Sequence, residues 1–251
     1  MAGKHIKFIL TAALIASVLG CAGKNPEQLK QANMSYDLGA NLLNKGDYPD
    51  AIQQLSNATR LNPDDPYSFN ALGLAYYGEG MKGPSEDAFK KAIALNAKYS
   101  DAYNNLGVLY LSESRWSDAV KAFHAALANP LYMSPQIAQV NLGWAYYQEG
   151  KLGDAITAYR NALNIMPDMP AAHNNLGLVY MKKNMLKDAE DEFTTAIYYY
   201  KGYAEAHLNL GIVYMKTGDY AKAKEQFTTV VSLSPSSGFA VDANRYLKML
   251  K

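Results

Sequence analysis

The sequence predicts an all-α solenoid, six stacked helix pairs closed by a C-terminal helix, on three observations. A Leu-Gly pair recurs at Leu38-Gly39, Leu72-Gly73, Leu106-Gly107, Leu142-Gly143, Leu176-Gly177 and Leu210-Gly211, with intervals of 34, 34, 36, 34 and 34 between glycines. Within each period the apolar residues fall at three- and four-residue steps, the spacing of one helix face. The chain also holds 20 tyrosines against 7 phenylalanines. Five of them, Tyr76, Tyr110, Tyr146, Tyr180 and Tyr214, stand three residues after a repeat glycine, with Leu42 in the first repeat. A unit this short cannot bury its apolar stripe alone, so the units must stack into one continuous core.

Composition narrows the classes of function. With 49% hydrophobic residues over 251 positions the chain can fill a core, which excludes intrinsic disorder. Lys+Arg 24 against Asp+Glu 23 gives a net charge of +1, too little for the basic field of a nucleic-acid binder. One cysteine makes neither an intramolecular disulfide nor a cysteine zinc site.

The first element is an export signal. Lys4, His5 and Lys7 precede an apolar run from Phe8 to Leu19, too short for a comfortable membrane span. The run ends at Val18-Leu19-Gly20-Cys21, which resembles the lipobox of bacterial lipoproteins. That resemblance implies removal of residues 1–20, acylation of Cys21 and, with Ala22 and not Asp after it, residence at the outer membrane. Cleavage takes away Lys4 and Lys7 and turns the net charge to −1. Residues 21–31, with Gly23, Lys24, Asn25 and Pro26, read as a lipidated flexible tether.

The units follow as 32–65, 66–99, 100–135, 136–169, 170–203 and 204–237. In each, a first helix carries Leu-Gly and the tyrosine. A second carries a small residue (Ala51, Ser85, Ala119, Ala155, Ala189, Ala223), then a large one (Leu55, Phe89, Phe123, Tyr159, Phe193, Phe227), then Ala58, Ala92, Ala126, Ala162, Ala196 or Val230. Turns such as Lys45-Gly46-Asp47 and Thr217-Gly218-Asp219 separate the helices. In the second unit Gly78 to Pro84 predicts a looser connection. The third is two residues longer, and Asn129-Pro130-Leu131-Tyr132-Met133-Ser134-Pro135 predicts a protruding loop held in shape by its prolines. Residues 238–251 form the cap, with Phe239, Ala240, Ala243, Tyr246, Leu247 and Leu250 on one face.

The order Leu-Gly, Tyr, Ala, Phe, Pro over 34 residues resembles the tetratricopeptide repeat. The resemblance implies a right-handed superhelix whose first helices line a concave groove. Helical geometry then sorts residues around each glycine onto that face. The amides are Asn70, Asn104, Asn105, Asn141, Asn174, Asn175 and Asn209; the apolar stripe is Leu74, Val108, Trp144, Leu178 and Ile212 with Tyr77, Leu111, Tyr147, Met181 and Met215. Amides can pair with a peptide backbone, and aromatic and methionine side chains supply burial, so the groove is expected to bind a protein segment. Some of these groups could equally serve packing between repeats.

Other constellations carry little chemistry. His173 and His207 stand four residues before successive glycines, a position also held by Phe69 and Tyr103, and lack a third metal ligand. His124 has no carboxylate or nucleophile partner that spacing places beside it. Tyr198-Tyr199-Tyr200, with Lys201 and Tyr203, predicts an exposed aromatic patch. No phosphate loop or catalytic dyad is present, so the expectation is a non-enzyme without cofactor or metal.

Six repeats behind a lipoprotein signal, with Pro130-Leu131-Tyr132 after the third, resemble the secretin pilotins of type IV pili, the PilF, PilW and Tgl family. The resemblance implies a monomeric protein, lipid-anchored at the periplasmic face of the outer membrane, that binds the pilus secretin subunit and promotes its localisation and multimerisation. The alternative is an envelope adaptor that scaffolds peptidoglycan-remodelling enzymes or a protease.

Overall fold

A computed structural model describes residues 25–250. Among them are thirteen helices: α1 Pro26–Asn44, α2 Tyr48–Leu61, α3 Pro66–Gly78, α4 Lys82–Leu95, α5 Ser100–Ser112, α6 Trp116–Leu127, α7 Pro135–Gln148, α8 Leu152–Ile165, α9 Pro170–Lys182, α10 Leu186–Tyr199, α11 Ala204–Thr217, α12 Tyr220–Leu233 and α13 Gly238–Met249. Odd and even helices pair within a repeat, each even helix packs on the next odd one, and α13 closes the end against α11 and α12. This is the predicted solenoid of six pairs and a cap.

Glycine makes each pair close. A Cβ on Gly73, Gly107, Gly177 or Gly211 would stand 2.5–2.7 Å from the ring of Phe89, Phe123, Phe193 or Phe227, and on Gly143 it would strike Tyr159. The large residue of the second helix therefore sits directly on the glycine of the first, at full burial. Seven residues after each repeat glycine the chain turns with positive φ. Gly46, Gly80, Gly150 and Gly218 do this freely, while Ser114 and Asn184 do it in repeats three and five.

The tyrosine column joins repeats. Tyr110 donates to Glu86 at 2.9 Å, Tyr214 to Glu190 at 3.2 Å, Tyr146 meets His124 Nε2 at 2.8 Å, and Tyr180 accepts from Arg160 at 2.7 Å. Every one of these bonds runs back to the second helix of the preceding repeat. The ring is core and the hydroxyl is a staple.

Two expectations are corrected. The tether assigned to residues 21–31 does not extend past Asn25, because α1 already begins at Pro26: proline suits the first helical position, and the Asn25 side chain accepts from Glu27 N at 3.0 Å. The connection after Gly78 is no looser than its counterparts. Helix α4 resumes at Lys82 and takes Gly83 and Pro84 into its first turn, where a missing N–H costs nothing. The third-repeat insertion does protrude between α6 and α7, with Leu131 82% and Met133 90% exposed. Cys21 and the expected signal over residues 1–20 lie outside the described residues.

Candidate protein-binding groove

Curvature follows from which helices touch. Each odd helix contacts the next odd helix, from α1·α3 through α11·α13, whereas no two even helices touch. The first helices are thus crowded at the inner radius and line the concave face.

The amide positions lie along that inner face and are mostly spent on it. Asn105 donates to Asn70 at 3.0 Å, Asn141 to Asn104 at 3.1 Å, and Asn209 to Asn174 at 3.0 Å, while Asn174 donates to Glu205 at 3.2 Å. Asn70, Asn104, Asn174 and Asn209 are buried. These amides bond in pairs across the boundaries between repeats two and three, three and four, and five and six. The packing role that sequence left open is the one their bonds describe.

The apolar stripe is half-buried. Leu74, Tyr77, Val108 and Leu111 pack on one core cluster, Tyr147, Leu178 and Met181 on a second, and Ile212 and Met215 on a third. Each presents one side to the core and the other to the groove. At its centre Trp144 stacks on Tyr147 with ring centroids 5.3 Å apart and planes at 18°, and Lys182 Nζ lies 4.4 Å from the Tyr147 centroid. Beneath, the Tyr159 hydroxyl is buried without a well-formed hydrogen bond although the Asn175 amide faces it, and burial pushes its pKa up. This central region combines aromatic area and one cation, the elements of a site for a peptide bearing apolar and polar groups.

Lys182 and the Tyr159 hydroxyl were missed by sequence reasoning. Tyr159 had a visible signal, a tyrosine in a column otherwise filled by phenylalanine and leucine. Lys182 had none, since its place over Tyr147 depends on how the next repeat is rotated.

The remaining candidates fall elsewhere. His173 bonds Glu192 through Nδ1 at 2.7 Å and the Pro167 carbonyl through Nε2 at 2.9 Å; His207 bonds Gln226 and the Lys201 carbonyl in the same way. The two histidines tie a first helix to its partner and to the preceding loop. Among the described residues no three His, Cys, Asp or Glu side chains cluster to hold a metal. Tyr198, Tyr199 and Tyr200 are all exposed, and Tyr199 stacks on His173 at 5.8 Å. In the insertion, Asn129 donates to the Lys98 carbonyl at 3.0 Å and accepts from Leu131 N at 3.0 Å. Burial and the Asp101 carboxylate push the Tyr132 hydroxyl up to about 12, so Tyr132 is the inward anchor while Pro130 and Leu131 face out.

An all-α superhelix with a lined inner face defines a protein-interaction scaffold. Profiles described as TPR repeat match residues 39–80 and 143–184, and profiles described as tetratricopeptide repeat match 88–121, 170–203 and 204–237, together more than half of the chain. The chain belongs to the tetratricopeptide-repeat family. Among curated proteins it is 30% identical over 97 residues to the small glutamine-rich tetratricopeptide repeat-containing protein 2 of Mycosarcoma maydis, covering 39% of this chain but only 28% of that relative. Two solved structures share the fold over almost their whole length. PilF of Pseudomonas aeruginosa superposes with a TM-score of 0.76 at 18% identity, covering 88% of this chain and 99% of that one. PilW, described as a widely conserved type IV pilus biogenesis factor, superposes at 0.77 with 21% identity, covering 87% and 97%.

Among the described residues no helix is long and apolar enough to cross a membrane.

Proposed function

We propose that this protein is a type IV pilus biogenesis factor of the pilotin kind, anchored by an acylated Cys21 to the periplasmic face of the outer membrane, where its groove binds the pilus secretin subunit and promotes multimerisation. The observation that carries the proposal is the match in extent. Six repeats and a cap align with nearly all of PilF and PilW, so the likeness covers the whole architecture and not one shared repeat. The lipobox-like Val18-Leu19-Gly20-Cys21 adds the anchor. An acyl anchor confines the scaffold to the target membrane and raises the effective concentration of a captured subunit there.

Groove residues divide the work. Trp144, Tyr147, Leu178 and Lys182 offer aromatic, apolar and cationic contact to a secretin segment, while the asparagine pairs tie adjacent repeats together. No residue is assigned a catalytic role, and no cofactor is required for capture.

Deleting the gene is expected to leave secretin monomers and abolish pili. Normal multimers in that strain would overturn the proposal. Recovery of peptidoglycan hydrolases or a protease, and no secretin, on the immobilised folded chain would instead favour the envelope-adaptor reading.

A further inference from the structure

The two ends of the solenoid are finished differently. At the C-terminal end α13 covers the last repeat, with Tyr246 stacked on Phe227 at 4.9 Å and 13°. At the N-terminal end nothing among the described residues covers α1.

The face concerned is defined by the other five repeats. The first helix of each meets the repeat before it through three columns: five residues before the glycine (Ser68, Ala102, Ala138, Ala172, Ala206), one before it (Leu72, Leu106, Leu142, Leu176, Leu210), and two after it (Ala75, Leu109, Ala145, Val179, Val213). All fifteen are buried, none above 7% exposure. In α1 the same columns hold Met34, Leu38 and Asn41. Met34 is 62% and Leu38 50% exposed, and Asn41 is exposed. Solenoids finish their ends with a polar outer face. Here two large apolar side chains stand where another repeat would dock, and Met34 is larger than any of its counterparts.

The chain leading to this face indicates its occupant. Only Ala22 to Asn25 separate Cys21 from the first residue of α1. Fully extended, that segment spans at most about 18 Å between Cys21 and Pro26. An acylated Cys21 would therefore hold the uncovered end, the start of α1 with the Leu61 carbonyl that Gln28 meets at 2.8 Å, within a short reach of the bilayer, while the later repeats stack away from α1.

We propose that the N-terminal face of α1, through Met34 and Leu38, docks on the phospholipid surface, so that the solenoid stands end-on with its groove held off the membrane. The proposal rests on the acyl anchor of the preceding section and adds an orientation to it. Two apolar side chains at the headgroup boundary add little to the affinity of the acyl chains; their effect is to fix which end faces the lipid.

The test uses full-length protein whose mass establishes acylation at Cys21, reconstituted in vesicles of phosphatidylethanolamine and phosphatidylglycerol with brominated acyl chains. Acylation blocks the only native thiol, so a fluorophore can be placed singly on Met34→Cys, Leu38→Cys or, as a distant exposed control on α12, Thr228→Cys. Quenching roughly threefold stronger at the α1 positions than at the control is expected for groups held at the headgroup boundary. Adding Leu38→Asp to the Met34→Cys protein should remove that excess while helicity stays unchanged. Equal quenching at all three positions would overturn the proposal. So would shielding of the α1 probes in detergent together with sedimentation as a dimer, which would assign the face to a second copy. An unmodified Cys21 overturns anchor and docking together, whereas secretin that multimerises normally without the protein overturns the pilotin reading alone.

Discussion

At Gly107 of α5 the Phe123 ring of α6 lies directly against the backbone: a Cβ built there would lie 2.5 Å from Phe123 Cε1. Gly107→Ala must push the Phe123 ring out of its slot, and a loss of about 1–3 kcal/mol is expected from overpacking, measured by urea unfolding. Tyr159 gives the opposite sign. Its hydroxyl is buried without a well-formed bond, so Tyr159→Phe, which restores the side chain found at the same place in repeats three and five, should leave stability unchanged or raise it by about 1 kcal/mol. At this scale the glycine and aromatic columns were legible in sequence because their spacing is the helix pair itself. The bonding of the asparagines was not, since an amide in a first helix looks the same whether it faces a ligand or a neighbouring amide.

Between elements, polar side chains set the stacking. His173 joins α9 to α10 and to the loop before α9. Its two nitrogens meet the Glu192 carboxylate and the Pro167 carbonyl, both acceptors, so the protonated ring satisfies both. Burial disfavours the imidazolium, but these two partners outweigh burial and raise its pKa above the usual 6.5. A raised folded-state pKa stabilises fully below the unfolded value, and that contribution disappears as pH rises through the folded one. An NMR titration should therefore place the His173 midpoint above 6.5, and Glu192→Gln should bring it down and flatten the matching fall in thermal stability. Glu86 works in the acidic direction. Burial opposes its ionisation, yet hydrogen bonds from Arg115, Lys90 and Tyr110 hold it at about 2. Its stabilisation is present above pH 4.5 and lost as pH falls towards 2, so Arg115→Met should reduce acid sensitivity together with stability at neutral pH, followed by far-ultraviolet circular dichroism across that range. The helices that carry these groups were readable from periodicity. The pairing of His173 with Glu192 was not, because it joins positions 19 residues apart on different helices.

For the whole molecule the two ends decide behaviour. Removing residues 238–251 would uncover Phe227, Ala223 and Val230, which pack with Ala243, Tyr246, Leu247 and Leu250. Each large apolar side chain uncovered costs about 1.5–3 kcal/mol, so the truncated protein should unfold at markedly lower urea and self-associate, as sedimentation would report. Among the described residues the opposite end has no such cap, and its Met34 and Leu38 are on the surface. The described solenoid is therefore polar in the directional sense, with an uncovered helix face at one end and a covering helix at the other.

The repeat, its count, the helix pairs, the C-terminal cap and the protruding third-repeat loop were all determined by sequence alone. Each of these rests on local periodicity, on turn-forming residues or on a change of register, and those are properties of consecutive residues. Tertiary structure decided which groups face the groove and which face a neighbour, that the asparagines bond one another, that Lys182 covers Tyr147, and that the leucine and methionine of α1 lie bare. These depend on the rotation between stacked repeats, which brings together residues some 35 positions apart and follows no local pattern.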